Sequence, residues 1–147
     1  MLVLGYLLRN NMRTSALISV LNELNASSSD IEASACISSD GFNLASVLNK
    51  NVDPDRYSAM CASLLALANR AAQEVQRGNL KLVLVEGDHG VMLLVQAGQN
   101  TILAVAAKPS RNLGMIFMTA KKFALKIIDT LDKFSENNPR VSQLHAA

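Results

Sequence analysis

Few side chains in this sequence have the types and spacing that catalysis requires. His89 and His145 are its two histidines, and Asp88 directly precedes His89. Adjacent residues in a turn rarely form an orienting pair, and no other strong candidate for a catalytic triad appears. We therefore predict that His89 is a surface turn residue, with a catalytic role as the open alternative.

Two glycines enclose the same turn, as they would in a nucleotide-binding loop. The chain has no GxxxxGK[ST] or GxGxxG motif, and neither a lysine nor a predicted helix directly follows Gly90. Two apolar runs flank the sequence Gly87-Asp88-His89-Gly90, which favours a β-hairpin turn over a phosphate site.

The thiols of the chain give no stronger sign of catalysis. Cys36 falls in a predicted strand and Cys61 on an apolar helix face, and no histidine flanks either. A catalytic thiol needs a lowered pKa beside a base, so we predict both as buried, reduced packing residues. No CxxC motif suggests zinc, and we predict no cofactor and no metal.

Composition excludes several classes of protein. Half of the 147 residues are hydrophobic and 18% are charged, which is enough to fill one domain core and argues against disorder. The net charge is only +2 and aromatic residues make up 4%, so nucleic-acid binding is not indicated.

Hydrophobic periodicity predicts helices at residues 12–24, 54–77 and 112–134. Asp53 and Pro54 are suited to begin the second helix, and Gly78 to end it. Five apolar runs predict strands, at residues 32–38, 43–47, 80–85, 90–95 and 101–106. Asp40-Gly41 and two further glycine turns connect them, so antiparallel neighbours are expected. The predicted order is α-β-β-α-β-β-β-α, one α/β sandwich.

The two ends of the chain stand apart from this domain. The run MLVLGYLL is too short to span a bilayer and lacks the basic start and cleavage site of a signal peptide. We predict a strand or loop that packs on the domain, with an oligomer contact as the alternative. We divide the chain into an apolar segment at residues 1–11, the sandwich domain at 12–134, and a polar tail at 135–147 that we expect to be frayed.

The third strand is predicted at a sheet edge, where an apolar strand is an aggregation hazard unless it is covered. The preceding helix carries a large apolar stripe, which includes Met60, and a smaller one. We assign the large stripe to the core and the smaller one to a partner, so we predict a two-fold homodimer with a sheet that continues across the interface. The predicted interface residues are Ala62, Leu65, Ala72, Leu80, Leu82, Val83 and Leu84. Cover by the N-terminal segment is the alternative.

Basic residues concentrate near the start of the third helix, with no acid between residues 108 and 126. A solvated helix face is the simpler interpretation; the alternative is a patch for an acidic protein. Met115 and Met118 lie in the same stretch, whereas Met60 and Met92 fall at predicted core positions. The candidate partner-contact residues are Lys108, Arg111, Met115, Met118, Lys121 and Lys122.

The order of elements resembles the roadblock/dynein light chain (roadblock/LC7) family over residues 15–131. The stretch ISSDGFNLA (residues 37–45) is similar to its first hairpin, GVMLLV (90–95) and ILAV (102–105) to its central strands, and NLGM (112–115) to its last-helix entry. The resemblance implies a five-stranded antiparallel sheet between one helix and two, and a dimer joined through the second helix and third strand.

The resemblance also implies a function. Family members bind small Ras-like GTPases as activators or scaffolds, or serve as dynein-associated light chains, without catalytic residues of their own. We therefore expect a cytoplasmic, non-catalytic homodimer that binds such a GTPase and modulates its nucleotide cycle, with a structural adaptor in a larger complex as the alternative. An enzyme or ligand sensor would need convergent polar groups that the strands do not supply.

Overall fold

The computed structural model of the chain describes residues 2–109 and 111–135. The elements follow the predicted order: α1 (Leu2–Ala26), β1 (Ile31–Ser38), β2 (Asn43–Val47), α2 (Pro54–Glu74), β3 (Leu82–Gly87), β4 (Gly90–Gln96), β5 (Thr101–Ala107) and α3 (Leu113–Lys133). The five strands form one antiparallel sheet in the order β2-β1-β5-β4-β3. The predicted fold class and the edge position of β3 are confirmed.

Alternation along the strands divides the core between the two faces of the sheet. Cys36 and Leu103 face the larger cluster, which includes Leu17, Leu21 and Leu24 of α1 and the buried side of α3. Their neighbours Ala35, Ile37, Ile102 and Ala104 face a smaller cluster with α2. Helices α1 and α3 therefore share one face, and α2 lies alone on the other.

The region expected to begin as a strand or loop is helical. The prediction for MLVLGYLL was wrong, because α1 begins at Leu2 and continues unbroken to Ala26. The first buried side chain of α1 is Leu17, and Leu2 is 82% exposed, so this segment does not pack on the domain either. The division at residues 11 and 12 stays a prediction, and residues 136–147 of the predicted tail lie outside the described residues.

The ends of α2 differ in how well the sequence predicts them. Asp53 caps the helix as expected, since its Oδ1 accepts hydrogen bonds from the amides of Asp55 and Arg56 at 3.0 and 3.4 Å. The helix ends at Glu74, before the predicted residue 77, and Gln76 and Gly78 then take positive φ angles of 58° and 81°. The last helical turn is therefore replaced by a tight left-handed turn.

Strand β3 begins at Leu82, two residues after its predicted start. The amide of Leu80 instead donates to Asn69 Oδ1 at 3.1 Å, which ties the connection before β3 to α2. A second side-chain amide joins α1 to the sheet: the hydroxyl of buried Ser34 donates to Asn25 Oδ1 at 2.7 Å. Both bonds satisfy backbone or hydroxyl groups that the strand ladders leave free.

Candidate functional site

The turn that holds His89 is a hairpin connection. Strand β3 ends at Gly87 and β4 begins at Gly90, so Asp88 and His89 form a two-residue loop, and both are exposed. Gly90 has a φ of +147°, and a Cβ there would collide with the carbonyl oxygen of Ala107. The glycine is therefore explained by backbone approach within the sheet, as the hairpin interpretation predicts.

Both cysteines are buried and free, as predicted. Burial raises the pKa of the Cys36 thiol from 9.0 to about 12, against a smaller opposing effect of Arg13. Burial also raises the pKa of Cys61, although its side-chain hydrogen bond with Tyr57 opposes the change. Burial likewise raises the pKa of Tyr57. Neutral thiols are poor nucleophiles, so neither cysteine is arranged for catalysis.

Metal-binding side chains do not gather in the described part of the chain: no group of three or more His, Cys, Asp or Glu residues there could hold an ion. In the same residues, no helix is long and apolar enough to cross a membrane. We therefore look for candidate binding sites on the exposed surfaces of the protein.

The largest departure from the sequence prediction concerns the faces of α2. Ser58, Cys61 and Ala62 are 0%, 2% and 7% exposed, and Leu65 packs on the same cluster, so the small stripe faces the sheet. The assignment of Ala62 and Leu65 to an outward, partner-facing stripe was wrong. Short side chains on this face let α2 approach strands whose facing residues include Ala35 and Ala104.

The large stripe assigned to the core is divided: Cys61 and Tyr57 pack on the smaller cluster as predicted, whereas its other large residues form the outer surface of the helix. Met60 is 60%, Leu64 37% and Leu67 64% exposed, and Val75 at the C-cap is 62% exposed. We call these residues the α2 ridge; their spacing places them along one side of the helix. Met60 is thus not a core residue, whereas Met92 packs partly buried against the smaller cluster as predicted.

An apolar groove of about 520 Å³ runs beside the α2 ridge. Its lining includes Tyr57, Cys61 and Leu64 of α2 and Met92 of β4. The groove lies there because α2 packs mainly on β1 and β2. Met60 and Leu64 of the ridge also line this groove, so the ridge and the groove form one continuous apolar surface.

The open edge of β3 borders this face. In the described residues β3 pairs with β4 and has no strand on its other side. Of the predicted interface residues, Leu80, Leu82, Val83 and Ala72 are half-buried, while Leu84 is 46% exposed. Leu82 packs against the larger cluster and Val83 against the smaller one, so Leu84 and the backbone edge remain accessible.

A second exposed surface lies at the start of α3. Met115 and Met118 are 60% and 68% exposed, and Lys108, Arg111 and Lys122 are exposed as well. Lys121 lies over the ring of Phe117 at 4.4 Å from its centroid. Lys108, Arg111, Met115 and Met118 thus lie at or near the start of α3, and Lys121 and Lys122 lie towards its middle.

Two residues of the α1–α3 layer have roles that the sequence did not distinguish. Lys126, part of the same basic run, bonds Glu23 of α1 at 2.8 Å and stacks on Phe123, so it joins the two helices. Leu125 is 65% exposed and extends the apolar surface of α3. Helical spacing from Met118 is the signal that identifies Leu125.

Fold and surface together define a class: a three-helix, five-stranded antiparallel sandwich whose exposed features are suited to protein contacts. The sequence profile of the Roadblock/LC7 domain family matches residues 17–107. The chain belongs to this family, which confirms the resemblance drawn from the sequence. Members are generally non-catalytic regulators or adaptors.

Individual relatives agree with this assignment. The protein MJ1340 of Methanocaldococcus jannaschii is 39% identical over 108 residues, which cover 74% of this chain and 93% of the relative. A Roadblock/LC7 domain from Streptomyces avermitilis has a TM-score of 0.72 at 19% identity, over 78% of this chain and 96% of that one. A structure of MglB with tetrameric arrangement has a TM-score of 0.75 at 17% identity, over 84% and 93%.

Proposed function

We propose that this protein is a non-catalytic homodimer that binds a small Ras-like GTPase and modulates its nucleotide cycle in the cytoplasm. The observation that carries the proposal is the exposed α2 ridge beside an apolar groove and an open strand edge, in a chain of the Roadblock/LC7 family. Such a surface is costly in water and is typical of a protein interface.

The ridge and groove favour a second copy of the chain as the dimer partner. In a two-fold interface each subunit presents the same patch, so one surface must carry both the convex and the concave element. Leu67 and Met60 of one copy would fill the groove lined by Met92 of the other, and the β3 edges would pair antiparallel. The structural neighbour described as tetrameric MglB supports self-association as a property compatible with this fold.

The surface at the start of α3 is our candidate for the GTPase contact. Its exposed methionines offer adaptable apolar area, and its lysines and arginine favour an acidic partner. With no catalytic group of its own assigned, the protein would act by holding the groups of the GTPase in position.

Binding assays with the small GTPases of the same organism, each loaded with GDP or with a non-hydrolysable GTP analogue, test this proposal. We expect one of them to bind and its GTP hydrolysis or nucleotide exchange to change when this protein is added. The double variant K121E/K122E should weaken binding at least about tenfold through like-charge repulsion with an acidic partner.

The matched control is Lys50→Glu, an exposed charge reversal in the connection between β2 and α2. It should leave GTPase binding unchanged. If no GTPase binds in either nucleotide state, the alternative of a structural adaptor in a larger complex replaces the GTPase proposal. If K121E/K122E and Lys50→Glu behave alike, the contact lies elsewhere.

A further inference from the structure

The first two turns of α1 form an apolar helix that nothing in the described chain covers. Leu2, Val3, Leu4, Leu7 and Leu8 are each between 51% and 82% exposed. The family match begins at residue 17, so this N-terminal apolar segment (residues 2–8) lies outside it. Its seven residues extend about 10 Å along the helix axis.

The apolar side chains of this segment surround the helix instead of forming one stripe. Leu4 and Leu8 lie on one side, whereas Leu2 and Tyr6 lie on another. A helix that is apolar on all sides is stable only when it is surrounded by apolar material. The occupant must therefore enclose the segment, which a flat contact along one helix face would not do.

Two candidates from this chain fit poorly. Residues 136–147 contain only two large aliphatic side chains, Val141 and Leu144, which are too few to enclose the segment. A second copy held through the β3 edge would also leave it bare, because α1 packs on β1 and β2, at the other end of the sheet.

Charge favours an anionic lipid surface. The first acidic residue of the chain is Glu23, whereas Arg9 and Arg13 follow the segment directly. Helices α1 and α3 together carry six basic and three acidic residues, while α2 carries two of each. Of these charges, Arg9 and Arg13 lie next to the segment on α1, and their sign suits an anionic lipid surface.

The boundary of the segment has the chemistry of a membrane interface. The Arg9 guanidinium lies 5.6 Å from the centroid of the Tyr6 ring. Tyrosine and arginine place an apolar body in the hydrocarbon edge and a polar end among the headgroups. The length of about 10 Å is suited to insertion into one leaflet, since spanning needs about 20 residues.

We propose that the N-terminal apolar segment inserts into the headgroup and upper acyl region of an anionic bilayer and anchors the protein there. One short anchor gives weak, reversible binding, and the two copies in the proposed homodimer would strengthen it through avidity. This role goes beyond GTPase binding and does not depend on it.

The anchor and the candidate GTPase contact lie at opposite ends of the α1–α3 layer. Arg13 lines a cavity with Leu131 and Phe134, near the C-terminal end of α3, whereas Glu23 meets Lys126. The two helices therefore run antiparallel, and the segment lies beyond the end of α3, far from Met115. A bilayer at one end leaves the other end accessible.

Vesicle flotation of the full chain tests the anchor. We expect the protein to float with vesicles of phosphatidylcholine and phosphatidylglycerol, less with phosphatidylcholine alone, and less at high salt. The double variant L4D/L8D should lower the partition coefficient at least about tenfold. The matched control Leu125→Asp changes an equally exposed leucine of α3 and should float like the wild type.

Three results would overturn the proposal. The first is that the wild type remains in the unbound fraction at every lipid composition. The second is that L4D/L8D floats as well as the wild type. The third is that Leu125→Asp loses as much binding as L4D/L8D. Light scattering of the same proteins without vesicles identifies the rival occupant, because a second copy on this segment would give L4D/L8D a smaller mass than the wild type. Far-ultraviolet circular dichroism checks that each variant is folded.

Discussion

At the scale of single residues, three polar side chains hold parts of the fold together through hydrogen bonds to backbone amides or to a buried hydroxyl. Asp53 caps α2, Asn69 holds the amide of Leu80, and Asn25 bonds buried Ser34. Each satisfies a group that would otherwise be left without a partner. These residues contribute to stability, so the effect of replacing them can be measured without knowledge of any ligand.

Replacement of the α2 cap provides the first prediction. Asp53→Ala should lower the free energy of unfolding by about 1 kcal/mol, because two amides of the first turn lose their acceptor. Urea denaturation measures the change. Asp53→Asn retains an acceptor and should stay within about 0.5 kcal/mol of the wild type; equal losses in both variants would mean that the cap contributes nothing.

The second prediction concerns pH. In the folded chain the pKa of Cys36 is raised from 9.0 to about 12, so the unfolded state alone releases this proton as the pH first rises above 9. The stabilisation is therefore complete below pH 9 and is lost as the pH rises towards 12. The slope contributed by this thiol is at most about 1.4 kcal/mol per pH unit.

Denaturation curves between neutral and alkaline pH measure this slope. Cys36→Ala should be less stable at neutral pH, because it leaves a cavity, but its stability should fall less steeply above pH 9. Tyr57 and Cys61, whose pKa values are also raised, contribute a decline that both proteins share. Parallel curves for the two proteins would exclude a contribution from Cys36.

At the scale of elements, α2 has one apolar side that packs on the sheet and one that is exposed, and its sequence does not distinguish the two. Both stripes are apolar, and the boundary drawn between them put Cys61 with the exposed Met60 and Leu67 in the predicted core and left the buried Ala62 outside it. The buried side uses Ser58, Cys61 and Ala62 because the helix lies close to the sheet, and Gly41 approaches it so closely that a Cβ would lie 3.3 Å from the Cα of Ala59. The larger side chains are left to the surface.

The third prediction follows from these two faces. Leu67→Asp should dissociate the proposed homodimer while the subunit stays folded, since Leu67 is 64% exposed. Leu65→Asp should instead destabilise the subunit, because a carboxylate would enter the cluster with Leu94 and Ile102. Sedimentation velocity and thermal denaturation of both variants distinguish the outcomes; a dimeric Leu67→Asp would remove the ridge from the interface.

At the scale of the whole molecule, the sandwich is complete on one side and incomplete on the other. Two helices cover the α1–α3 face, whereas a single helix covers mainly the β1–β2 part of the opposite face. The uncovered part adjoins the open edge of β3. A second subunit would supply both the missing strand and the missing helix.

The fourth prediction tests this completion. If the subunits associate through the uncovered face, the melting temperature should rise with protein concentration, because dilution favours the separated subunits. Differential scanning fluorimetry or calorimetry over a hundredfold range of protein concentration measures this shift. By mass action, such a range changes the free energy that association contributes to stability by an amount on the order of 3 kcal/mol. A constant melting temperature, together with a monomer mass by sedimentation, would contradict the dimer.

The sequence by itself determined the order of the elements and the strand neighbours that are joined by short turns. Asp53-Pro54 begins a helix, Asp40-Gly41 closes a hairpin, and short glycine turns force antiparallel pairing, because these signals act within a few residues. The same local signals placed β3 at the edge and singled out Met115 and Met118, which are exposed, as candidate contact residues. They also led to the correct family.

Only the tertiary structure decided which apolar surface is core. The ridge residue Leu67 and the buried residue Ala62 both lie on apolar stripes, and what separates them is the distance at which α2 packs on strands distant in sequence. The prediction for MLVLGYLL failed for the same reason: an apolar run has no periodicity that distinguishes helix from strand, or buried from exposed. The chemistry of an apolar side chain favours its burial, and packing between residues distant in sequence determines which surface buries it.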